Sequence, residues 1–209
     1  MSSETYNLLS LIIQALIAFG TVSVAVLAIW GPWIRSKLVP PKLTLVPHNL
    51  RGIVTRFTNG PRVIYYQLKV CNLRPWVPAR NSRVLLRRIE LRGPDQVFRP
   101  LPETVPPQFV WSPAPQTPPL LNITKEQFLD FGRLTEGASH FEPVLYWYPN
   151  NFQGFVEKNQ AVRYCLEVDA DSFSQKEFKV FEIAWNGKWT ANLDEMRQNL
   201  TIREVATGD

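Results

Sequence analysis

The chain has 209 residues, of which 45% are hydrophobic, 12% are aromatic and 20% are charged. This composition excludes a disordered chain and a coiled coil, and the length allows one domain with a sizeable core. The net charge of +5 hides an asymmetry, because residues 35–99 carry 14 basic and 2 acidic residues, whereas residues 101–209 carry 9 basic and 15 acidic residues. The asymmetry indicates either an anionic partner, such as a lipid headgroup layer, or basic and acidic strands that neutralise each other.

The first predicted element is a membrane-spanning helix. The 23 residues at positions 8–30 include no charged residue. As a helix they would be roughly 34 Å long, enough to cross a hydrocarbon core of about 30 Å. The run is too long for a signal peptide and lacks a basic start and an A-x-A-like cleavage site; a buried soluble helix is the other alternative. We predict an extracytoplasmic tail at residues 1–7, a transmembrane helix at 8–34 and a proline-stiffened stalk at 35–41.

The flanking residues predict the orientation of this helix. Basic residues are absent before it and frequent after it, so the positive-inside rule places the N-terminus outside and the domain in the cytoplasm. The predicted localisation is therefore the cell inner (plasma) membrane, with a single pass. Aromatic and basic residues at the two ends form the predicted membrane interface, which consists of Tyr6, Trp30, Trp33, Arg35 and Lys37.

One side of the helix carries small and weakly polar residues. They recur at spacings of 4, 3, 4 and 3, the repeat of a helix-pairing stripe through which two backbones approach closely. The stripe predicts a homo-oligomer or pairing with another membrane helix, and the alternative is that the helix packs on lipid alone. Its members are Gln14, Ala18, Thr21, Ala25 and Ala28.

Alternating apolar and polar residues predict an Ig-like antiparallel β-sandwich at residues 42–205. In the strand around Cys71 the alternation places this thiol on the outward face. The alternation changes parity within residues 82–91, which predicts a β-bulge near Arg87 and Arg88.

A proline-rich loop interrupts the sandwich at residues 94–119, which contain nine prolines. Because proline removes ladder donors, we predict a long loop or edge covering that packs Phe109 and Trp111 onto the sandwich. The pair Pro115 and Pro118 also suits docking to a domain that binds polyproline helices.

Four later segments read as strands. Residues 122–132 suit either a capped helical turn or, as we favour, a strand, and residues 144–148, 161–168 and 177–185 have the strongest strand patterns of the chain. In the strand 161–168 the alternation places Cys165 on the outward face, as it does Cys71.

The chain closes with a short helix at residues 192–198, for which Asn192 is the predicted N-cap, and with an edge strand at residues 201–205. The predicted fold class is thus mainly β, with an N-terminal transmembrane helix, an Ig-like sandwich and a short C-terminal helix.

The segments YYQLKVCNLRPWVPARNSRVLL, VRYCLEV and EIAWNGKW resemble the Ig-like domains of uncharacterised single-pass bacterial membrane proteins. In those domains a strand ends in Val-x-Asn, and Pro-Ala-x-Asn opens the next strand after a turn. The matching residues are Val70, Asn72, Pro78, Ala79 and Asn81. The resemblance covers residues 8–190 of the sequence. It implies the fold and the anchor, and it carries no catalytic residue.

The sequence contains no motif for catalysis. His48 and His140 have no motif partner, and no Walker loop, nucleophile elbow or dinucleotide fingerprint is present. We therefore expect no enzyme, no metal and no cofactor.

Arginines are concentrated around one predicted strand and form a candidate surface for an anionic partner. A short stalk would keep them near the membrane, so lipid or a protein partner is favoured over nucleic acid, and a solvated strand face without a ligand is the alternative. The residues of this candidate surface are Arg80, Arg83, Arg87 and Arg88.

The sequence predicts a membrane-anchored binding or scaffolding module without catalytic activity, whose partners are the lipid bilayer and a further protein. The second hypothesis is a membrane sensor or effector that recognises an anionic ligand through the basic strand face.

Overall fold

The computed structural model describes residues 3–56, 60–102, 105–113, 116–175 and 177–206. In the N-terminal helix it describes the side chains of residues 7–31 only. The predictions for Pro115 and for the side chains of Tyr6, Trp33, Arg35 and Lys37 therefore lie outside the described residues. The chain forms two compact units, Met1–Pro40 and Pro41–Asp209.

The first unit is the helix α1, Ser3–Leu38. It is longer than the predicted span at both ends, because it continues through the Gly-Pro pair at residues 31–32 for a further six residues. Residues 35–38 are therefore helical, and the prediction of a stalk at residues 35–41 is wrong for that part. Residues 39–42 are not helical and connect α1 to the first strand of the second unit.

The second unit is built from strands and one short helix. The described strands are β1 (Leu43–Arg56), β2 (Arg62–Asn72), β3 (Ala79–Arg92), β4 (Phe98–Pro100), β5 (Val110–Trp111), β6 (Leu121–Ile123), β7 (Glu126–Thr135), β8 (His140–Pro143), β9 (Val156–Glu157), β10 (Gln160–Ala170), β11 (Phe173–Ser174), β12 (Lys179–Trp185) and β13 (Leu200–Val205). The helix α2, Leu193–Asn199, lies between β12 and β13.

The strands form two antiparallel sheets. The first has the order β1-β2-β7-β8-β9, with β5 also paired to β7. The second has the order β13-β12-β10-β3-β4, with β6 paired to β3 and β11 paired to β10. The neighbours β1-β2-β7 and β12-β10-β3-β4 correspond in order to the A-B-E and G-F-C-C′ strands of an immunoglobulin sandwich. The predicted mainly β fold, with an apolar N-terminal helix and a short C-terminal helix, is thus confirmed.

The core between the sheets is centred on aromatic rings. Phe131 of β7 lies 5.9 Å from Tyr164 of β10 and 5.5 Å from Phe181 of β12, measured between ring centroids. It also stacks on Phe109 at 5.8 Å and contacts Phe141 of β8 at 6.3 Å. The hydrophobic effect and these ring contacts hold the sheets together.

The predicted bulge and the predicted edge covering are both confirmed. Cys165 pairs with Arg88 and Leu166 pairs with Leu86, so Arg87 is the extra residue of β3. The proline-rich segment lies along the open edge of β3, where the backbone nitrogen of Phe109 donates to the carbonyl of Val84 at 2.9 Å. The side chains of Phe109 and Trp111 are buried, as predicted.

Residues 122–132 form β6 and most of β7, so the favoured strand prediction is right. The strand prediction for residues 144–148 is wrong, because only Leu145 makes a bridge there, to Phe109. The strand lies earlier, in β8, and the proline that ends β8 is followed by a segment without a continuous partner.

Cys165, which the alternation predicts to be on the outward face, is nevertheless buried. Its outward direction on β10 is as expected, but its exposure is 0%. Its strand, β10, is the central strand of the second sheet and lies between β3 and β12. Arg88 of β3 and Val180 of β12 lie opposite the cysteine. Side chains from both neighbouring strands therefore cover it. Cys71 on β2 is half-buried, and both thiols are free.

The short C-terminal helix is confirmed together with its cap. Asn192 Oδ1 accepts a hydrogen bond from the backbone nitrogen of Asp194 at 3.0 Å, and Asp194 and Glu195 occupy the first turn, where negative charge stabilises a helix. Met196 is buried and fastens the helix to the core.

Candidate functional site

The apolar part of α1 spans Asn7–Gly31, which is 25 residues and is not buried at all. By length and composition this helix is able to cross a membrane. Trp30 is 60% exposed. The Thr21 hydroxyl donates to the carbonyl of Ile17 at 2.8 Å, so it is satisfied within the helix. The five stripe residues, Gln14, Ala18, Thr21, Ala25 and Ala28, are all exposed.

The arginines of the predicted anionic surface lie on β3, and three of them are already paired with carboxylates. Arg83 contacts Asp169 at 2.7 Å, Arg88 contacts Glu90 at 2.9 Å, and Arg87 bonds to Glu167. Arg80 is exposed, and no ion pair of Arg80 is found among the described residues. The strand face thus offers less positive charge than its sequence indicates.

On β12, which neighbours β10, one carboxylate holds two arginines. Glu182, which is 7% exposed, accepts from Arg163 at 3.1 Å and from Arg203 at 2.7 Å. The Arg163 guanidinium also lies 4.0 Å from the ring centroid of Phe98, a cation–π contact. A shallow polar depression of about 530 Å³ opens over these residues. Its lining combines the paired charges of Glu90, Arg163, Glu182 and Arg203 with Arg92 and with three uncharged residues.

Ion pairs join the basic part of the sequence to the acidic part across the whole sandwich. They are Arg51–Asp194, Arg62–Glu136, Lys69–Glu126, Arg83–Asp169 and Arg87–Glu167. The bonds from Arg62 lower the pKa of Glu136 below its ordinary value. Folding therefore neutralises part of the charge asymmetry, because five of the 14 basic residues at positions 35–99 pair with carboxylates of residues 101–209.

The histidines lie apart from these charges. His48 contacts the ring of Phe128 at 4.4 Å, and His140 contacts the ring of Phe155 at 4.5 Å. Within the described ranges, no group of three or more His, Cys, Asp or Glu side chains has an arrangement that could hold a metal ion.

A surface that the sequence interpretation did not single out is the loop between β2 and β3, residues 73–78, called the 73–78 loop below. Its base is the buried amide of Asn72, which donates to the carbonyls of Val77 at 2.8 Å and Ile123 at 3.2 Å. The amide oxygen accepts from the backbone nitrogen of Arg74 at 3.0 Å. Two bonds from this side chain therefore fix the loop's conformation, and the third ties its base to β6.

The 73–78 loop holds two large apolar side chains in solvent. Leu73 is 51% exposed and Trp76 is 62% exposed. The loop lies directly beside the first residue of the sandwich, because the backbone nitrogen of Leu73 donates to the carbonyl of Lys42 at 2.7 Å. Large apolar side chains that are exposed together commonly mark an interaction surface.

The residues that carry the family resemblance are part of this arrangement. Asn72 organises the 73–78 loop, and Ala79 begins β3 directly after it. Asn81 adopts a positive φ of 51° and donates to Asp171 at 2.9 Å. The exposed Trp76 between two prolines was the sequence signal for this surface.

Comparisons with protein-family models, with curated proteins and with solved structures find no match to this chain. The argument for function therefore rests on the geometry of the helix and of the sandwich.

Proposed function

We propose that this chain is a single-pass membrane protein whose Ig-like sandwich lies in the cytoplasm and serves as a binding or scaffolding module without catalytic activity of its own. The observation that carries the proposal is the 25-residue apolar segment of α1, none of which is buried within the chain. Exposed apolar surface costs about 25 cal/mol per Å² in water, a cost that a bilayer removes.

Charge supports the orientation. Arg35, Lys37 and Lys42 follow the apolar segment, and no basic residue precedes it, so the positive-inside rule favours a cytoplasmic sandwich. The two free thiols are compatible with a reducing compartment.

Fusions at the C-terminus test this topology in bacterial cells. A fused green fluorescent protein should fluoresce, whereas a fused alkaline phosphatase should be inactive, because its disulfides form only in an oxidising compartment. The matched control is the variant Ser2→Arg/Ser3→Arg/Arg35→Ser/Lys37→Ser, which should reverse both readouts. An active phosphatase on the native chain would contradict the orientation, and release by an alkaline wash would contradict the anchor.

The non-catalytic part of the proposal is supported by the way polar groups are used. The buried carboxylates Glu167 and Glu182 are held by arginines, and the two histidines pack against phenylalanines. His140 Nδ1 lies 3.1 Å from the hydroxyl of Ser139, its neighbour in the chain, and the described residues show no hydrogen-bonded carboxylate that would orient this histidine as the base of a catalytic triad.

The scaffolding part predicts that α1 associates with a second α1 or with another membrane helix through its small-residue stripe. Crosslinking in native membranes should give a defined product that Ala18→Leu/Ala25→Leu abolishes. Ser23→Leu lies about 180° around the helix from Gln14 at 100° per residue and is the matched control, which should leave the product unchanged. Equal crosslinking of all three chains would contradict helix pairing.

The second hypothesis, a sensor that binds an anionic ligand on the basic strand face, has less support. Arg83, Arg87 and Arg88 already have carboxylate partners, so an anionic ligand would have to displace Asp169, Glu167 or Glu90.

A further inference from the structure

The connection between α1 and the sandwich limits where the sandwich's first strand can lie. Only residues 39–41 separate the end of α1 at Leu38 from Lys42. Each residue of extended chain spans at most about 3.6 Å, so these residues and the bonds that join them reach about 14 Å. If the apolar segment of α1 crosses a bilayer, as the proposed function has it, the seven helical residues after Gly31 add about 10 Å, so the start of β1 lies within about 25 Å of the hydrocarbon core.

The 73–78 loop is fastened to this starting point. Its Leu73 bonds to Lys42, and the backbone nitrogen of the preceding Asn72 donates to the carbonyl of Lys125 at 2.7 Å. The 73–78 loop therefore lies at the end of the sandwich where the chain enters it from α1.

The chemistry of this end suits a membrane interface. Trp76 is 62% and Leu73 is 51% exposed, and tryptophan prefers the headgroup region, where its ring is partly apolar and its indole N–H is solvated. The exposed basic residues Lys42, Arg80 and Lys125 belong to the same end.

The acidic residues that face this end are outnumbered by the basic ones. Glu126 pairs with Lys69 at 2.9 Å, and the charge of Asp171, which accepts from the neutral amide of Asn81, is exceeded by the three basic residues. The surplus charge around the 73–78 loop is therefore positive, which favours anionic lipid headgroups.

We propose that the 73–78 loop docks into the anionic headgroup layer of the membrane that α1 spans, with Trp76 and Leu73 inserted at the interface and Lys42, Arg80 and Lys125 bound to lipid phosphates. Docking gives the sandwich a second attachment to the bilayer besides its covalent one. Because Asn72 fixes the loop beforehand, insertion costs little conformational entropy.

Photo-crosslinking of the full chain in nanodiscs tests this proposal. The photoreactive p-benzoylphenylalanine replaces Trp76, and lipid adducts are measured by mass spectrometry in phosphatidylglycerol–phosphatidylcholine and in phosphatidylcholine alone. We expect lipid adducts at position 76, with a several-fold higher yield when phosphatidylglycerol is present. The same replacement at Trp147, which is 43% exposed after β8, is the matched control and should give several-fold fewer adducts.

Two further variants separate the outcomes. The replacement at Trp30 reports the anchor: lipid adducts there, with none at position 76, would overturn docking while leaving the proposed function intact, and their absence at both positions would overturn the anchor itself. Lys42→Glu/Lys125→Glu should lower the yield at position 76 several-fold in the anionic discs. Protein adducts at position 76 instead of lipid adducts would also overturn the proposal.

Discussion

At the scale of single residues, two buried tyrosines differ in how their hydroxyl groups are satisfied. Tyr164 on β10 donates its hydroxyl hydrogen to the carbonyl of Gly154, which lies upstream as in the tyrosine corner of Ig domains. Tyr66 on β2 is 2% exposed, and its hydroxyl has no hydrogen-bond partner in the described part of the chain. Burial raises the pKa of both phenols.

This difference predicts opposite effects for the same substitution. Tyr66→Phe should raise the free energy of unfolding by about 1 kcal/mol, because it removes an unsatisfied buried hydroxyl. Tyr164→Phe is the matched control and should lower the free energy of unfolding by about 1 kcal/mol, because it leaves the Gly154 carbonyl without its donor. Urea unfolding of the full chain in detergent measures both. Equal destabilisation by the two substitutions would contradict the assignment of hydroxyl partners.

The two cysteines predict a second test at this scale. Cys71 is half-buried, Cys165 is fully buried, and burial raises the pKa of both thiols. Since the thiolate is the reactive form, both should react slowly near neutral pH, and more quickly as the pH is raised.

Maleimide labelling of the native chain should modify Cys71 first, while Cys165 should react only after denaturation. Mass spectrometry of tryptic peptides distinguishes the two sites, and Cys71→Ser should abolish labelling of the native chain. Native labelling of Cys165 at the rate of Cys71 would contradict its coverage by β3 and β12.

Among the elements of the fold, the outer face of the second sheet depends on paired charges. Glu182 on β12 bridges Arg163 on β10 and Arg203 on β13, and the side chains of Glu182 and Arg163 are 8% and 15% exposed. Removing one member of a buried pair leaves an uncompensated charge, which commonly costs 3–5 kcal/mol in the interior. Arg203 is 67% exposed in its side chain and is solvated without its partner.

We therefore expect Glu182→Gln to lower the free energy of unfolding by about 2–3 kcal/mol, slightly below the range for a fully buried pair. Glu136→Gln is the matched control, because its partner Arg62 is solvent-exposed, and exposed pairs contribute little. Urea unfolding of both variants in detergent measures the difference. A change for Glu182→Gln that is no larger than the change for Glu136→Gln would show that the network is not a source of stability.

The elements also show what a sequence is able to predict. Alternation identified β2, β3, β10 and β12, and a change of parity identified the bulge at Arg87. Alternation failed at residues 144–148, because a strand requires a partner along its length. The neighbouring segment is the proline-rich one, which contains only the two-residue strand β5. Its prolines have no backbone N–H group to donate to residues 144–148.

The same limit explains what was missed about the candidate surfaces. Parity gives the direction of a side chain, but not what covers it: Cys165 points outward and is nevertheless buried, and Arg83 and Arg87 point outward and are nevertheless paired. These pairs link residues about 80 positions apart in sequence, as in Arg87 with Glu167. Which residues form these ion pairs depends on the order of the strands within the sheet, and local sequence patterns do not specify that order.

For the whole molecule, the described core belongs entirely to the second unit. Its residues run from Leu43 on β1 to Leu200 on β13, and none of the described core residues comes from α1. The unit Pro41–Asp209 is of a size at which single domains commonly fold alone. The ion pairs between its basic and acidic parts are likewise complete without the helix.

We therefore predict that the fragment of residues 41–209 folds without the anchor. It should unfold cooperatively in urea, and its near-ultraviolet circular dichroism should match that of the full chain in detergent, because the aromatic core around Phe131 is intact. A fragment of residues 79–209 is the matched control, and it should not fold. It lacks β1 and β2, and thus the partner that covers one edge of β7 and core residues such as Tyr66. Loss of the near-ultraviolet signal in residues 41–209 would mean that the helix takes part in the fold. Retention of the signal would mean that the anchor acts on the location of the sandwich and not on its structure.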